Sequence, residues 1–539
     1  MTAAPDIVSV LLQRADLHPD RVAIRDAHDR SVTYGDLALG VRAVASHLDR
    51  AGLEPGDGVL LAVRPSPRAV MAALGVVLAR AVVVVADPGA GEALVDVRRR
   101  VVPVRAAVAD TLVHAATRRP LSSVLARLPA TAGLQLPDLS TPGLVHVVTG
   151  LRLPGVPRSA TRWESLTPGA ATHVEGETSR DALVVFTSGS TAAPRAVVHT
   201  VASLSAGVHA AVTALDLDEH VVMHTDQLMI GLPTLVAGGL WSLPPVTAST
   251  RAWVRQATRA GATHAYAVPA KLLAAAEIGL PPTVRHVATG GAPVLGAGIR
   301  RLGQLAPGVS IRAVYGLTEA LPVAVARGEE VLASPPGRTS LGRPLPGVSV
   351  RIDHPDDAGV GEIVVAGPQA RDRLAGEPPT SEVRTGDRGV LADDGTLLLA
   401  GRAKSMIIRG QANIYPDLVE PLLLARDDLG LRDCALVGLA DRVTGDERVV
   451  LAVVPAPDTH RDRRAWPPRQ VGRDGSASRH TVQALARAVH RAWPALADEA
   501  WRPDDVVVVG AIPRRGRSGA VDLDAVRALV TGAPGSDRG

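Results

Sequence analysis

Lysine, phenylalanine and cysteine are nearly missing from this chain, and each shortage removes a class of protein from consideration. Cys434 is the single cysteine, which excludes an internal disulfide and fits a reducing cytoplasm. Aromatic residues make up 2% of the 539 residues, so few flat side chains are available to stack on bases, and the arginines are scattered among acidic residues. Nucleic acid is therefore not an expected partner. Long apolar runs are missing too. Val76 to Leu78 and Val82 to Val85 are separated by Arg80, and no uninterrupted stretch approaches the roughly 18 residues of a membrane span. The opening "MTAAPDIVSV" has no basic segment leading into an apolar one, so no secretory signal is expected and the cytoplasm is the expected location. Among 58 basic residues only Lys271 and Lys404 are lysine. A lysine is a rare event here, whereas an arginine can stand by composition alone.

What is present is a folded chain, 46% apolar and 21% charged, with a formal net charge of +4. Its length suits roughly two to four domains, with cores of Val, Leu and Ala. "DIVSVLLQRADLHPD" reads as an amphipathic helix, "RVAIRD" as a strand, "SVTYGDLALGVRAVASHLDRAG" as a strand turn followed by a helix, and "DGVLLAVRP" as another strand. Such alternation predicts βαβ units around parallel sheets. A Pro/Gly/Ser/Thr-rich passage from about Leu151 to Arg180 reads as a connector. Alternation resumes to about Ala326, and "GVSVRIDHPDDAGVGEIVVAGP" reads as a hairpin-rich β segment. After Gly401 the character changes: "DCALVGLADRVTGDERVVLAVVPAP" gives two strands and "TVQALARAVHRAWPAL" a helix, with a surface insertion expected near 458–479 and a disordered tail at "TGAPGSDRG". The expected fold is α/β. A large N-terminal region of several subdomains, residues 1–400, has parallel and mixed sheets in βαβ layers plus a β-rich part, and a small α+β C-terminal domain, 401–539, follows it.

Residues 184–200 read "VVFTSGSTAAPRAVVHT". An apolar strand runs into five small hydroxyl and glycine residues, Thr187, Ser188, Gly189, Ser190 and Thr191, the kind of loop whose backbone N–H groups turn toward a phosphate. From this stretch alone an ordinary Ser/Thr-rich turn is equally open. Downstream follow "ATGGAP" (288–293), "VYGLTEA" (314–320), "GEIVVAGP" (361–368), "RTGDRG" (384–389) and "GRAKSMIIRGQANIYPDLVE" (401–420). In that order and at those separations they resemble the core motifs of the adenylate-forming superfamily of acyl-CoA synthetases, carrier-loading adenylation domains and luciferases. The resemblance runs from about residue 7 to about residue 531.

The resemblance assigns roles. Residues Thr187 to Thr191, with Arg195, would hold the β- and γ-phosphates of ATP. Gly290, Gly291 and Ala292 would form a turn against which adenine lies, although a plain strand-to-helix turn would look the same. Tyr315, followed by Gly316, would stack on adenine, Thr318 would touch the α-phosphate, and Glu319 would hold Mg²⁺, which prefers carboxylate and phosphate oxygens. Asp387 would bind the ribose hydroxyls and Arg402 ribose or phosphate. Lys404 falls at the hinge about which the small domain swings between two orientations. Arg409, Gly410 and Gln411 would then face the large domain near an incoming thiol. Thr187, Glu319, Arg402 and Lys404 are the expected catalytic set. The acid pocket is less legible: "VVMHTDQLMIGLPTLVAGG" offers His224 as a gate or as an ordinary polar residue at a strand end, with Asp226 and Met229 close by, and Gly291 is also expected to line the pocket. Its apolar walls suit an acyl or aryl acid.

Two departures from the pattern matter. The phosphate loop ends "TAAPRAV", with Ala192 and Ala196 in place of glycines and Arg195 in place of lysine. The closing motif "IPRRGRSGAVDLDAV" has Ala520 where the superfamily keeps the lysine that reaches the carboxylate and α-phosphate. Loss of a cation beside developing charge is expensive, and Arg514, Arg515 or Arg517 would replace it only by a register shift. The expected activity is ATP- and Mg²⁺-dependent conversion of a carboxylic acid to an acyl-AMP, then thioester formation with CoA, or with a separate acyl carrier protein. A β-lactone synthetase acting on a β-hydroxy acid, and a silent nucleotide or acyl-AMP binder, remain open beside it.

Overall fold

The computed structural model describes residues 4–85, 102–116, 139, 143–151, 153–169, 177–187, 195–245, 248–292, 294–336, 338–374, 377–402, 407–409, 412–414, 416–440, 447–456, 479–496, 501–515 and 520–532. The expected insertion near 458–479 lies outside them except for its last residue, and the tail from 533 lies outside them entirely.

Helices begin where local chemistry directs them. Asp6 accepts the Val8 N–H at 3.0 Å ahead of the helix Ile7–Leu17. Thr33 and Asp36 form a capping box on Tyr34–Arg50, and Ser66 precedes Pro67 at the start of Pro67–Leu78. Strands such as Val82–Val85 are apolar because both faces are buried, Val83 in one core and Val82 and Val84 in another.

Among the described residues, two eight-stranded sheets and one five-stranded sheet make the large region. The first runs, from edge to edge, Ala320–Arg327, Ser310–Leu317, His286–Gly290, His264–Tyr266, Val222–His224, Leu240–Ser242, Val22–Arg25 and Ser31–Thr33. Its inner strands are parallel and its two edge strands antiparallel. The second carries parallel strands from Thr161–Arg162 to Asp181–Thr187, then two antiparallel ones, Arg195–Thr200 and Arg373–Leu374. The third is antiparallel throughout and contains Gly361–Ala366, Val383–Leu391 and Leu397–Arg402. An α/β architecture with a β-rich part is what the alternation predicts.

One segment differs from expectation. Within the passage read as a connector, Thr161–Arg162 pairs in parallel with Val145–Thr149 and closes the edge of the second sheet, and the guanidinium of Arg68 lies 5.9 Å from the Trp163 ring. Two residues are too few for a period-2 pattern to show.

Beyond residue 407 a separate core forms. Leu431–Ala440 and Glu447–Pro455 make an antiparallel pair, and Asp505–Val508 adds in parallel. One face packs Leu436, Leu451, Val489 and Trp493 together, the other Val437, Val450 and Val526, so helices cover both faces. Among the described residues no helix is long and apolar enough to cross a membrane.

Candidate active site

Three hairpins meet at the candidate site, one from each large sheet. In the second sheet Thr187 stands opposite Arg195, so the phosphate-type loop springs from the closed end of a hairpin. Ser188, Gly189, Ser190 and Thr191 lie outside the described residues, as do the side chains of Thr187 and Arg195. In the first sheet Leu317 stands opposite Ala320, which leaves Thr318 and Glu319 as a two-residue turn. In the third sheet Asp387 stands opposite Arg402, whose side chain is not among those described.

Hydrogen bonds tie the hairpins together. Tyr315 Oη donates to Asp387 Oδ2 at 2.8 Å, and Asp387 is only 4% exposed. The Asp387 N–H donates to Thr385 Oγ1 at 3.0 Å, which fixes the carboxylate's backbone. His199 Nε2 lies 2.8 Å from the Thr318 carbonyl, and its Nδ1 lies 3.2 Å from Ser203 Oγ. Burial pushes the His199 pKa down, the bond to the Thr318 carbonyl opposes this, and the charge of Arg371 adds to the depression. The ring is thus neutral and donates from Nε2. The Arg371 N–H donates to the Glu319 carbonyl at 2.7 Å, so both turn residues are held through their backbones. Their side chains remain available to a ligand.

Backbone geometry explains two of the expected adenine residues. A Cβ on Gly290 would sit 2.5 Å from the Val314 carbonyl oxygen, closer than side chains tolerate, and a tight 3.1 Å from Tyr266 Oη. Gly291 has φ +73, a left-handed conformation that glycine adopts freely. Gly291 and Ala292 are exposed, and Gly316 follows Tyr315 half-buried in the neighbouring strand.

The acid side lies at the C-terminal ends of the parallel strands. His224 ends its strand fully buried, with Nδ1 2.9 Å from Ser242 Oγ and its ring edge-on to Trp253 at 4.4 Å between centroids. Burial, then the charge of Lys271, pushes its pKa down to about 3 against the opposing effects of Asp226 and a Trp253 backbone bond. At neutral pH this imidazole is a neutral wall and no proton carrier. Met229 is half-buried on the apolar helix Leu228–Val236. Lys271 Nζ contacts Asp226 Oδ2 at 2.8 Å, and Tyr266 Oη stands beside Gly290 and Gly291. Sequence reasoning did not place Lys271, Tyr266 or His199 in the site. The rarity of lysine and tyrosine was the one available signal for the first two.

Glu319 is half-buried at its hairpin tip, and its carboxylate makes no hydrogen bond or ion pair with another described residue. A carboxylate with no partner among the described residues fits Mg²⁺, which takes one or two carboxylates and fills its shell with phosphate oxygens and water. In the C-terminal module Arg409 pairs with Asp504 at 2.6 Å, whereas Lys404, Gly410 and Gln411 lie outside the described residues. Ala520 stands opposite Arg515 in a short hairpin, and Arg514 is held by Asp433 at 2.7 Å.

A carboxylate on a turn and a buried carboxylate bonded to a tyrosine, with the loop sequence between Thr187 and Arg195, fit a nucleotide-dependent, acid-activating ligase. The chain belongs to the AMP-binding enzyme family of the adenylate-forming superfamily, whose profile matches residues 11–371. It is 26% identical to an olefin β-lactone synthetase of Xanthomonas campestris pv. campestris over 92% of this chain and 95% of that protein. It is 39% identical to the 2-succinylbenzoate–CoA ligase of Lactococcus lactis subsp. lactis over 26% of this chain and 30% of the other. The structure superposes on the amide bond synthetase McbA from Marinactinospora thermotolerans with a TM-score of 0.73 at 25% identity, covering 97% of this chain and 99% of that one.

Proposed function

We propose that this protein activates a fatty, acyl or aryl acid with ATP and passes the acyl group to the thiol of coenzyme A. A carboxylate oxygen of the acid attacks the α-phosphorus, the bond to pyrophosphate breaks, and the acyl-AMP forms. The thiolate sulfur then attacks the acyl carbon and AMP leaves. Both steps depend on positioning and on neutralising charge. Gly290 to Ala292 and Tyr315 take adenine, Asp387 and Arg402 take ribose, Thr187 to Thr191 with Arg195 take the β- and γ-phosphates, Thr318 takes the α-phosphate, and Lys404 is the hinge. Glu319 is the carboxylate for Mg²⁺, which supplies neutralising charge at the phosphates when bound. The observation that carries this reading is the 2.8 Å bond from Tyr315 to Asp387, which joins the adenine wall to the ribose wall across two sheets. The apolar helix Leu228–Val236 supports an apolar acid, and the single cysteine, Cys434, supports a cytoplasmic setting.

Relatives of this chain are named for three different products, a β-lactone, a CoA thioester and an amide. Activation is the shared half of the reaction, and the acceptor is the variable one. Similarity to a β-lactone synthetase along 92% of the chain favours, as second reading, a hydroxyl of the substrate itself as acceptor. The test is acid-dependent ATP–pyrophosphate exchange with aliphatic, β-hydroxy and aryl acids, for the wild type and for Ala520→Lys, followed by AMP release with and without CoA. Exchange by the wild type, a gain of about 100-fold in Ala520→Lys and CoA-dependent AMP release are expected. Full AMP release from a β-hydroxy acid without CoA would replace the thiol by the intramolecular acceptor. ATP binding without exchange in either protein would make the chain a nucleotide binder.

A further inference from the structure

We infer that the ion pair between Asp226 and Lys271 forms the far wall of the acid pocket and selects acids that carry a hydroxyl group. The inference rests on the reading of the chain as an acid-activating ligase. Strand order supplies the place. From Val222–His224 the chain moves to Leu240–Ser242 on one side and then to His264–Tyr266 on the other. Where strand order reverses in this way, a crevice opens at the carboxyl ends of the two diverging strands, the usual ligand position in such sheets. Asp226 follows the first of these strands and Lys271 follows the second, on the helix Pro269–Ile278, so their 2.8 Å contact spans the crevice.

The pair is continuous with the nucleotide side. Tyr266 Oη lies 3.9 Å from where a Cβ on Gly291 would stand. Burial and the charge of Asp226 push the phenol up to about 12, so it remains an O–H group. Tyr266 thus stands beside the adenine turn and feels the charge of Asp226, which in turn holds Lys271.

Burial of this pair is weak evidence of a role in stability. The side chains of Lys271 and Asp226 are 20% and 9% exposed, and ions this far out of water carry a desolvation penalty that their attraction does not reliably offset. Nor is it compositional background, because Lys271 is one of two lysines in the chain. The ammonium lies 5.9 Å from the Trp253 ring centroid, and Asp226 Oδ1 already accepts from Gln227 Nε2 at 3.0 Å. Lys271 has N–H donors to spare and Asp226 Oδ2 a spare lone pair. A hydroxyl accepts from the first while donating to the second. A second carboxylate on the substrate would face Asp226, an ammonium would face Lys271, and an alkyl group would desolvate both without replacement.

Inert acyl-sulfamoyl adenosines test this by calorimetry on the full chain, because binding them requires no turnover and residue 520 is the same in every variant compared. Two matched pairs serve, salicyl against benzoyl and 3-hydroxyoctanoyl against octanoyl, with 5′-AMP affinity reporting on the fold of each variant. In the wild type the hydroxylated member of one pair should bind about 10–100-fold tighter, and which pair shows this tells a phenolic from an aliphatic hydroxyl. Lys271→Met should bring the ratio close to one, Asp226→Asn should lower it, and Lys271→Arg should keep part of it. Equal affinities in both pairs, or a ratio that survives Lys271→Met while 5′-AMP still binds, would overturn the inference and leave acid activation standing. If no analogue binds more tightly than 5′-AMP in the wild type, the acid-activating reading itself falls and takes the inference with it.

Discussion

A double-mutant cycle on Tyr315 and Asp387 tests whether the adenine and ribose walls meet as described. The phenol donates to the carboxylate at 2.8 Å, and Asp387 is 4% exposed, so water cannot readily replace the lost donor. A hydrogen bond to such a charged group contributes about 1.5–3 kcal/mol. Tyr315→Phe should therefore destabilise the protein by about 2 kcal/mol. For a cooperative unit of 150–250 residues each kcal/mol moves Tm by roughly 2–4 °C, so a fall of roughly 4–8 °C is expected. Asp387→Asn keeps an acceptor oxygen but loses its charge, and neutral hydrogen bonds are roughly half as strong as charge-assisted ones. The double mutant should then fall short of the sum of the single effects by about 1 kcal/mol. Calorimetry with ATP gives the functional reading: the carboxylate that Tyr315 no longer holds should bind ribose more weakly, and Kd should rise about 10-fold, or 1.4 kcal/mol. Additivity within about 0.5 kcal/mol in the stability cycle would mean that the two groups do not interact in solution. The assembly of the nucleotide site argued above would then be wrong.

Gly290→Ala should cost about 1–3 kcal/mol by overpacking, since the added carbon would meet the Val314 carbonyl at 2.5 Å in the strand directly paired to it. Gly291→Ala has its nearest neighbour at 3.8 Å and should lose only about 1–2 kcal/mol to the left-handed backbone. Crystal structures of the two variants separate the causes, because only the first should displace the 310–317 strand. Stability should also fall in mild acid. Burial, with smaller contributions from neighbouring charges, pushes His224 down to about 3 and His264 down to about 4. Between those values and about 6.5 the unfolded chain binds protons that the folded one excludes, so ΔG should drop by about 1.4 kcal/mol per pH unit for each such ring. Urea unfolding between pH 6.5 and 4.5 measures the slope, and His264→Asn should make it shallower by about one proton. A slope unchanged by that variant would show that His264 titrates normally in the folded state.

Legibility in the sequence followed the range of the physics. The Thr318–Glu319 turn and Gly290–Gly291 depend on backbone geometry within a few residues, and glycine, threonine and short turns mark such geometry directly. The ties between these pieces are not local. His199 meets Thr318 across 119 positions and Lys271 meets Asp226 across 45, and no spacing rule reports contacts that sheet order creates. The parallel sheets were visible as apolar runs because both faces are covered, whereas the two-residue strand Thr161–Arg162 inside a turn-rich passage carried no pattern to read. His224 shows the same limit from the other side. Its position at a strand end was evident, but its burial against Trp253 and its bond to Ser242 depend on how two further elements pack.

The two halves of the site are built from different materials, and this bears on what can vary. The proposed nucleotide half consists of turns and backbone groups on three hairpins, held by bonds from His199, Arg371 and Tyr315. The proposed acid half combines the neutral His224 and the apolar helix Leu228–Val236 with one charged pair, Asp226 and Lys271. Substrate choice can thus change through Asp226 and Lys271 without disturbing the nucleotide cradle. Ala520 belongs to neither half. Arg514 would replace the missing cation only by leaving Asp433, a partly exposed pair worth about 0–1 kcal/mol. The stronger obstacle is register. Arg515 faces Ala520 across the hairpin, and a slip by one residue turns every side chain of the strand to the opposite face. A weak ion pair does not bar the rearrangement, but alternation along the strand restricts which arginine it can deliver.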